Sequence, residues 1–249
     1  STINLVSPPS TGISKITSAV SIPYCGNDFA TLPTITATPI ISNKTPIKIT
    51  SNNTSIAGIN GIPSIAVVDI NENGLAELSR DLRSTKGMFI PQDYIPYPMD
   101  FATSVFEKMF RKRGGFDIVA NFSAHKHVRS EKDKYSVQAL IENNDIKAKK
   151  LMDLLTVYPP KHFFCVSTDK AANPVNIMGA SKRIMEDLVM AYNKYFKVTT
   201  ARFANVAFSN GSLPDGWIHR LQKKQPLAAP SDVKRYFVSP EESGQICML

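Results

Sequence analysis

The chain has 249 residues, 43% hydrophobic and 20% charged, which allows one large α/β domain or two small ones and excludes disorder throughout. Its 29 Lys and Arg against 21 Asp and Glu leave a net charge of +8, yet the basic runs at 111–113 and 147–150 fall in helical patterns without interleaved aromatics, so the charge suits a phosphate-bearing small molecule rather than nucleic acid. No run of about 18 uncharged apolar residues occurs, and the cysteines at 25, 165 and 247 fit neither a disulfide framework nor a Cys-x-x-Cys metal site, so a reducing cytoplasm without membrane insertion is expected.

Residues 1–27 lack a basic stretch followed by an apolar block, so no secretory leader is read there. Up to residue 60 Asp28 is the only acid, and Ser, Thr, Pro and Asn dominate, a bias against helices. Residues 33–41 and 46–50 alternate like short strands but lack organising turns, so residues 1–60 are expected to be an atypical segment, extended or poorly ordered. From residue 65 the grammar changes. Residues 65–68 form a buried-strand candidate ending in Asp69, and Leu75, Leu78 and Leu82 share one face of a helix over 72–84 capped by Asn71. Residues 101–112 are helical through Val105, Phe106, Met109 and Phe110, and residues 116–122 read as a strand. Residues 135–157 are largely helical, 162–166 a strand, 181–196 helical and 198–203 a strand. This alternation predicts βαβ units in an α/β fold, a doubly wound parallel sheet whose ligand lies beyond the carboxyl ends of the strands.

Those ends carry the chemistry. Asp69 stands where a dinucleotide-binding fold sets an acid against the adenosine ribose, although an ordinary turn before a helix would look the same. Its charge would repel a 2′-phosphate and so favours NAD over NADP. The strand over 116–122 runs into Ser123-Ala124-His125-Lys126-His127-Val128, small residues followed by ionisable ones, as a nicotinamide ribose and a phosphate would need. A plain surface loop is equally consistent, and no further His or Cys clusters nearby to hold a metal. Ser167-Thr168-Asp169-Lys170 sets an acid beside a base, able to act on neighbouring carbons of one substrate or simply to cap a helix. Met178-Gly179-Ala180-Ser181-Lys182 opens the next helix and puts Met178 and Lys182 on one face. A short-chain dehydrogenase carries tyrosine where Met178 stands. Methionine cannot accept a proton, so another residue must take the one from the substrate hydroxyl.

Asp69 to Asn73 (DINEN), Lys126-His127-Val128, residues 167–182 (STDKAANPVNIMGASK), residues 202–212 (RFANVAFSNGS) and Arg235-Tyr236-Phe237 closely resemble the nucleotide-sugar 4,6-dehydratases of bacterial polysaccharide biosynthesis. These are extended short-chain dehydrogenases that act typically on UDP-N-acetylglucosamine, and the resemblance covers residues 65–249. It implies a Rossmann-like NAD-binding domain over 61–210, part of a substrate-binding region over 211–249, and a homo-oligomer. It implies catalytic roles for Thr168, Asp169, Lys170, Met178 and Lys182. Cofactor contacts would come from Asp69, Ile70, Asp100, Phe101, Phe122, Ser123, Ala124, Lys126, Asn144 and Lys182, and substrate contacts from Lys126, His127, Asn205, Ser212 and Arg235, with no metal. The mechanism the resemblance implies takes hydride from C4 of the sugar to NAD, after which Lys170 would remove the C5 proton, Asp169 would protonate the departing C6 hydroxyl, and hydride would return to C6. Methionine at the position of Met178 also occurs in the resembling family, notably in members that retain configuration at C5, so the resemblance leans toward retention.

The family's Gly-rich turn, whose bare backbone admits a pyrophosphate, has no counterpart here. Residues 49–58 (ITSNNTSIAG) echo it with Ser51, Asn52, Thr54 and Ala57 at glycine-like places, and residues 11–20 keep only Gly12. Side chains there are expected to crowd the pyrophosphate. Two further readings therefore stand beside the dehydratase: a non-catalytic relative of the family, and a nucleotide-sugar 4-epimerase, which would want tyrosine at 178 and has no need of Asp169 and Lys170.

Overall fold

The structure, a computed structural model, describes residues 38–42 by their backbone and residues 64–84, 93–126, 131–209, 211–229 and 235–247. Six strands, β1 (Thr38–Ser42), β2 (Ser64–Asp69), β3 (Asp93–Pro98), β4 (Ile118–Asn121), β5 (His162–Thr168) and β6 (Lys197–Phe203), form one sheet in the order β3-β2-β1-β4-β5-β6. This is the Rossmann order. The connecting helices are α1 (Glu72–Ser84), α2 (Ser104–Arg113), α3 (Lys134–Ile141), α4 (Lys147–Val157) and α5 (Ile177–Ala191). Alternation along β2 serves both faces of the sheet: Val67 packs with Leu75 and Leu78 of α1, while Ala66 and Val68 join a larger cluster with Phe106, Phe110, Leu151, Met152, Leu155, Met185 and Val189. Each such side chain contributes about 1.5–3 kcal/mol on burial. Among the described residues no helix is long and apolar enough to cross a membrane.

One feature departs from the all-parallel expectation. β1 runs antiparallel to both neighbours, with Thr38 opposite Val68 and Ile40 opposite Val119, so the centre of an otherwise parallel sheet is reversed. A parallel β1 would need a crossover back to β2, normally a helix. Residues 43–63, rich in Ser, Thr, Asn and Pro, are poor material for one, and antiparallel pairing needs none. The chain therefore leaves β1 at Ser42, beside Ser64, on the edge opposite Asp69. The echo at 49–58 lies outside the described residues.

β3, absent from the sequence reading, carries Pro96 and Pro98. An edge strand leaves alternate N–H groups unpaired on its open side, so proline there costs no ladder bond, and β3 occupies that edge. The helix expected over 101–112 starts at Ser104, because Thr103 Oγ1 caps it by accepting from Phe106 N at 3.3 Å. Gly114, at φ 73°, closes it through bonds to the Phe110 and Arg111 carbonyls. The helix expected over 135–157 is broken by a π turn, Glu142–Ile146, which swings Asn144 and Asp145 inward.

The end of α2 is tied to β3 by Arg113, whose Nη1 donates to Asp93 Oδ2 at 2.8 Å and whose Nε donates to Tyr97 Oη at 3.1 Å, while Ser64 Oγ donates to the same Asp93 oxygen at 2.6 Å. The bonds from Arg113 and then Ser64 hold the Asp93 carboxyl below its ordinary pKa in spite of partial desolvation. A lowered carboxyl pKa stabilises the fold above the unfolded value, and that contribution is lost as pH falls through the folded one. Asp93→Asn should lower stability by about 1 kcal/mol at neutral pH. Thermal melts should show the deficit shrinking once pH drops below about 4.

Candidate active site

Because β2 and β4 are each antiparallel to β1, they run in the same direction as one another and as β3, β5 and β6. Asp69, Asn121 and Thr168 therefore finish on one edge of the sheet. At the end of β5 a single 3₁₀ turn, Asp169–Ala171, follows Thr168. Thr168 Oγ1 donates to Asp169 Oδ1 at 2.8 Å, and Lys170 Nζ donates to the same oxygen at 3.0 Å. Partial burial pulls the Asp169 pKa up, but the bonds from Lys170 and Thr168 outweigh it, and the net shift is down. The two side chains form an ion pair.

The turn rests on α5, which starts at Ile177 rather than at 181 as expected. Asn176 Oδ1 accepts from Gly179 N at 2.8 Å and Glu131 Oε1 accepts from Met178 N at 2.8 Å, so two side chains satisfy the free amides of the first turn. A Cβ on Gly179 would stand 2.8 Å from the Lys170 carbonyl oxygen, so only glycine lets the turn lie this close to the helix. Met178 and Lys182 do share a face, and both are buried. Lys182 Nζ donates to the Val166 carbonyl at 3.2 Å and touches Met185 Sδ at 3.5 Å. Burial pushes its pKa down, with Cys165, Asp145 and Glu186 opposing.

At the end of β4, Asn121 Oδ1 accepts from Ser123 N at 3.0 Å and from Ser123 Oγ at 2.7 Å, fixing the Ser123–Ala124 turn. The strand stops at Asn121, one residue short of Phe122, whose ring packs on Phe164. Asn144 clasps the next peptide, accepting from His125 N at 2.9 Å and donating to His125 O at 3.1 Å. Surrounding protein lowers the Lys126 pKa against the opposing pull of Asp215. His127 lies outside the described residues. Asp69 Oδ1 accepts from Asn71 N at 2.8 Å, and Ile70 is exposed. The Asp100 carboxylate is bonded by Lys147 Nζ and by Ala102 N, and the Phe101 side chain belongs to the core.

A small lobe carries the remaining substrate candidates. β7 (Asn205–Val206) pairs parallel with β8 (Phe237–Val238), flanked by α6 (Leu213–Gln222) and α7 (Pro240–Cys247). Asn205 Nδ2 donates to the Tyr236 carbonyl at 3.2 Å, and Ser212 Oγ caps α6 by accepting from Asp215 N at 3.4 Å. Arg235 is exposed. The structure thus gathers Thr168, Asp169, Lys170, Met178 and Lys182 at one joint, whereas Asn205 and Ser212 are engaged in holding their own lobe.

Sequence reasoning missed Asp145, Asn121, Glu131 and Lys147. Asn143-Asn144-Asp145 inside an apolar helical pattern was the available signal for the first. Among the described residues no group of three His, Cys, Asp or Glu could hold a metal ion. For a dinucleotide, Asp69 suits the adenosine ribose. The Lys182 Nζ is met by only a carbonyl and a thioether, which leaves it able to donate to the other ribose as well. No glycine-rich turn stands at this edge among the described residues.

Residues 54–249 match the model of a family described as polysaccharide biosynthesis protein. The chain belongs to that family. It is 30% identical over 193 residues to an uncharacterized membrane protein of Methanocaldococcus jannaschii, covering 74% of this chain and 54% of that protein. It is 33% identical over 134 residues to a UDP-N-acetylglucosamine 4,6-dehydratase (inverting) of Campylobacter jejuni, covering 51% of this chain and 39% of the relative. UDP-glucose 4-epimerases of Rickettsia also match. Among solved structures, a dTDP-glucose 4,6-dehydratase from Streptomyces venezuelae with NAD bound superposes with TM-score 0.59 at 16% identity, over 74% of this chain and 61% of that one. The chain thus spans 54% of the length of the first of these relatives and 39% of the second. The matches bear out the resemblance to the nucleotide-sugar dehydratases and the Rossmann-like fold.

Gly179→Ala tests the joint. The added methyl must displace the Lys170 backbone, at a cost of about 1–3 kcal/mol for overpacking. Thermal melts should register the loss, and the proton resonances of residues 168–171 should shift more than those of α1.

Proposed function

We propose that this chain carries the catalytic domain of an NAD-dependent nucleotide-sugar 4,6-dehydratase, which converts a UDP-N-acetyl-hexosamine to its 4-keto-6-deoxy derivative for surface polysaccharide or glycoprotein synthesis. UDP-N-acetylglucosamine is the first candidate substrate. The observation that carries this reading is the Lys170–Asp169 hydrogen bond at the end of β5, beside a helix with methionine where a hydride-transfer enzyme would place tyrosine. A 4-epimerase exchanges hydride at C4 and has no use for an acid and a base aimed at C5 and C6.

Bound NAD supplies a hydride acceptor for C4 and a donor for C6. Lys182 orients the ribose and takes the proton of the C4 hydroxyl, while Thr168 hydrogen-bonds the C4 oxygen. The 4-ketone acidifies the C5 hydrogen. At rest Asp169 and Lys170 are in the wrong states for their tasks, but one proton moving along their 3.0 Å hydrogen bond gives a neutral amine and a neutral acid together. Water exclusion by the substrate favours that move, since it removes two charges from a drying site. Lys170 then takes the C5 proton, Asp169 protonates the leaving C6 hydroxyl, and the charged pair is restored. Lys170 returns a proton to C5 as hydride reaches C6, so no net redox occurs. The exposed Arg235 guanidinium is suited to the diphosphate.

Incubation with UDP-N-acetylglucosamine and NAD in D₂O should yield a 6-methyl proton signal with deuterium at C5, and the ring couplings will read retention against inversion. An unchanged sugar would favour the non-catalytic reading. Lys170→Ala and Asp169→Asn should each reduce methyl formation by about 10²-fold or more while partial C4 oxidation persists. Undiminished product from both variants would refute these roles.

A further inference from the structure

The π turn between α3 and α4 buries a group that the chemistry above leaves without a task. Single π turns within helices mark functional sites more often than regular helix does. Here the turn brings in both Asn144 and Asp145. Asn144 is accounted for by its clasp on His125 and by a 3.1 Å bond from Nδ2 to Ser181 Oγ, which fixes the turn against α5 one residue before Lys182. Asp145 is 5% exposed, and its buried Oδ1 has no hydrogen-bond partner among the described residues. An unpaired carboxyl oxygen out of water is costly.

Lys182 follows Ser181, the residue to which the turn is bonded, and is buried as Asp145 is. Burial pushes the Asp145 carboxyl up to about 6, and Lys182 pulls against that rise. In return Asp145 makes the buried lysine a stronger base than burial alone would leave it. The other ionisable groups facing Lys182 are Cys165 of β5, a thiol pushed up to about 11, and Glu186 of α5, whose carboxylate is held by Arg202 of β6 at 2.9 and 2.6 Å. Glu186 thus has a counter-cation of its own.

We propose that Asp145 is a positioning residue that acts through Lys182: its carboxylate, held in the π turn, is the counter-charge for the ammonium that Lys182 becomes on taking a substrate hydroxyl proton. The hydroxyl O–H bond breaks and an N–H bond forms at Nζ. The oxygen keeps the electron pair, which becomes the second bond of the C4 carbonyl as hydride departs to the oxidised nicotinamide dinucleotide. With Met178 in place of a phenol, the buried lysine has to bear this positive charge itself, and Asp145 supplies what water would otherwise provide. The identity of the hydroxyl rests on the dehydratase reading, whereas the pairing of Asp145 with Lys182 does not.

Titration of the full chain labelled with ¹³C at the aspartate γ-carbon tests the pairing, with Asp145 assigned by the signal lost in Asp145→Asn. Its midpoint is expected at about 6. In Lys182→Met the midpoint should rise by about one pH unit, since the cation that lowers it is gone. An unchanged midpoint in Lys182→Met overturns the proposal. The kinetic arm follows reduced-cofactor formation from UDP-N-acetylglucosamine and NAD across pH. Asp145→Asn should move the acidic limb to lower pH by about one unit and lower the plateau, with Asp145→Glu restoring part of both. A lowered plateau with an unmoved limb would mean a merely structural residue and refute the role. If the unaltered chain turns over no sugar, the dehydratase reading fails, and the titration alone then decides the pairing.

Discussion

The Lys170 carbonyl lies where a side chain at position 179 would have to be, and the candidate site is built around that close approach. The bare α-carbon lets the turn after β5 sit on the first turn of α5, which brings an exposed acid–base pair and a buried lysine into one neighbourhood. Asn176 and Glu131 make the arrangement stable by occupying helix amides that would otherwise compete for polar partners. The geometry is held by backbone proximity and two caps, without drawing on the side chains of Asp169 and Lys170.

One lysine–aspartate ion pair stands at this joint, and the proposed coupling of Asp145 to Lys182 lies beside it in a more buried setting. Asp169 and Lys170 are partly exposed and directly bonded, so they rest as ions and are readied by losing water. Asp145 and Lys182 are buried, and desolvation pulls both toward neutrality. Arg202, by holding Glu186, keeps a third carboxylate from dominating the lysine.

The reversed β1 places a physical constraint on any dinucleotide. In a Rossmann sheet the first strand delivers the phosphate-binding turn to the same edge as the other strand ends. Here β1 ends at Ser42, on the edge opposite Asp69. The parallel strands that end in Asp69, Asn121 and Thr168 and the reversed central strand thus follow different logics, in keeping with the break in composition near residue 60.

The α/β class, the strand ends and the motif over 167–182 were legible in the sequence, because periodicity and residue chemistry over short windows are local properties. The edge strand β3 was hidden by its prolines, whose tolerance depends on having a neighbour on one side only. Asp145 looked like one polar residue among three, and only the extra residue of the π turn aims it inward. Asn205 and Ser212 matched a motif, yet their hydrogen bonds go to Tyr236 and Asp215, partners supplied by the folding of the second lobe. Sequence by itself determined which residues can donate, accept or carry charge. The tertiary structure decided which of them are buried together, since desolvation and pairing depend on distances between segments far apart along the chain.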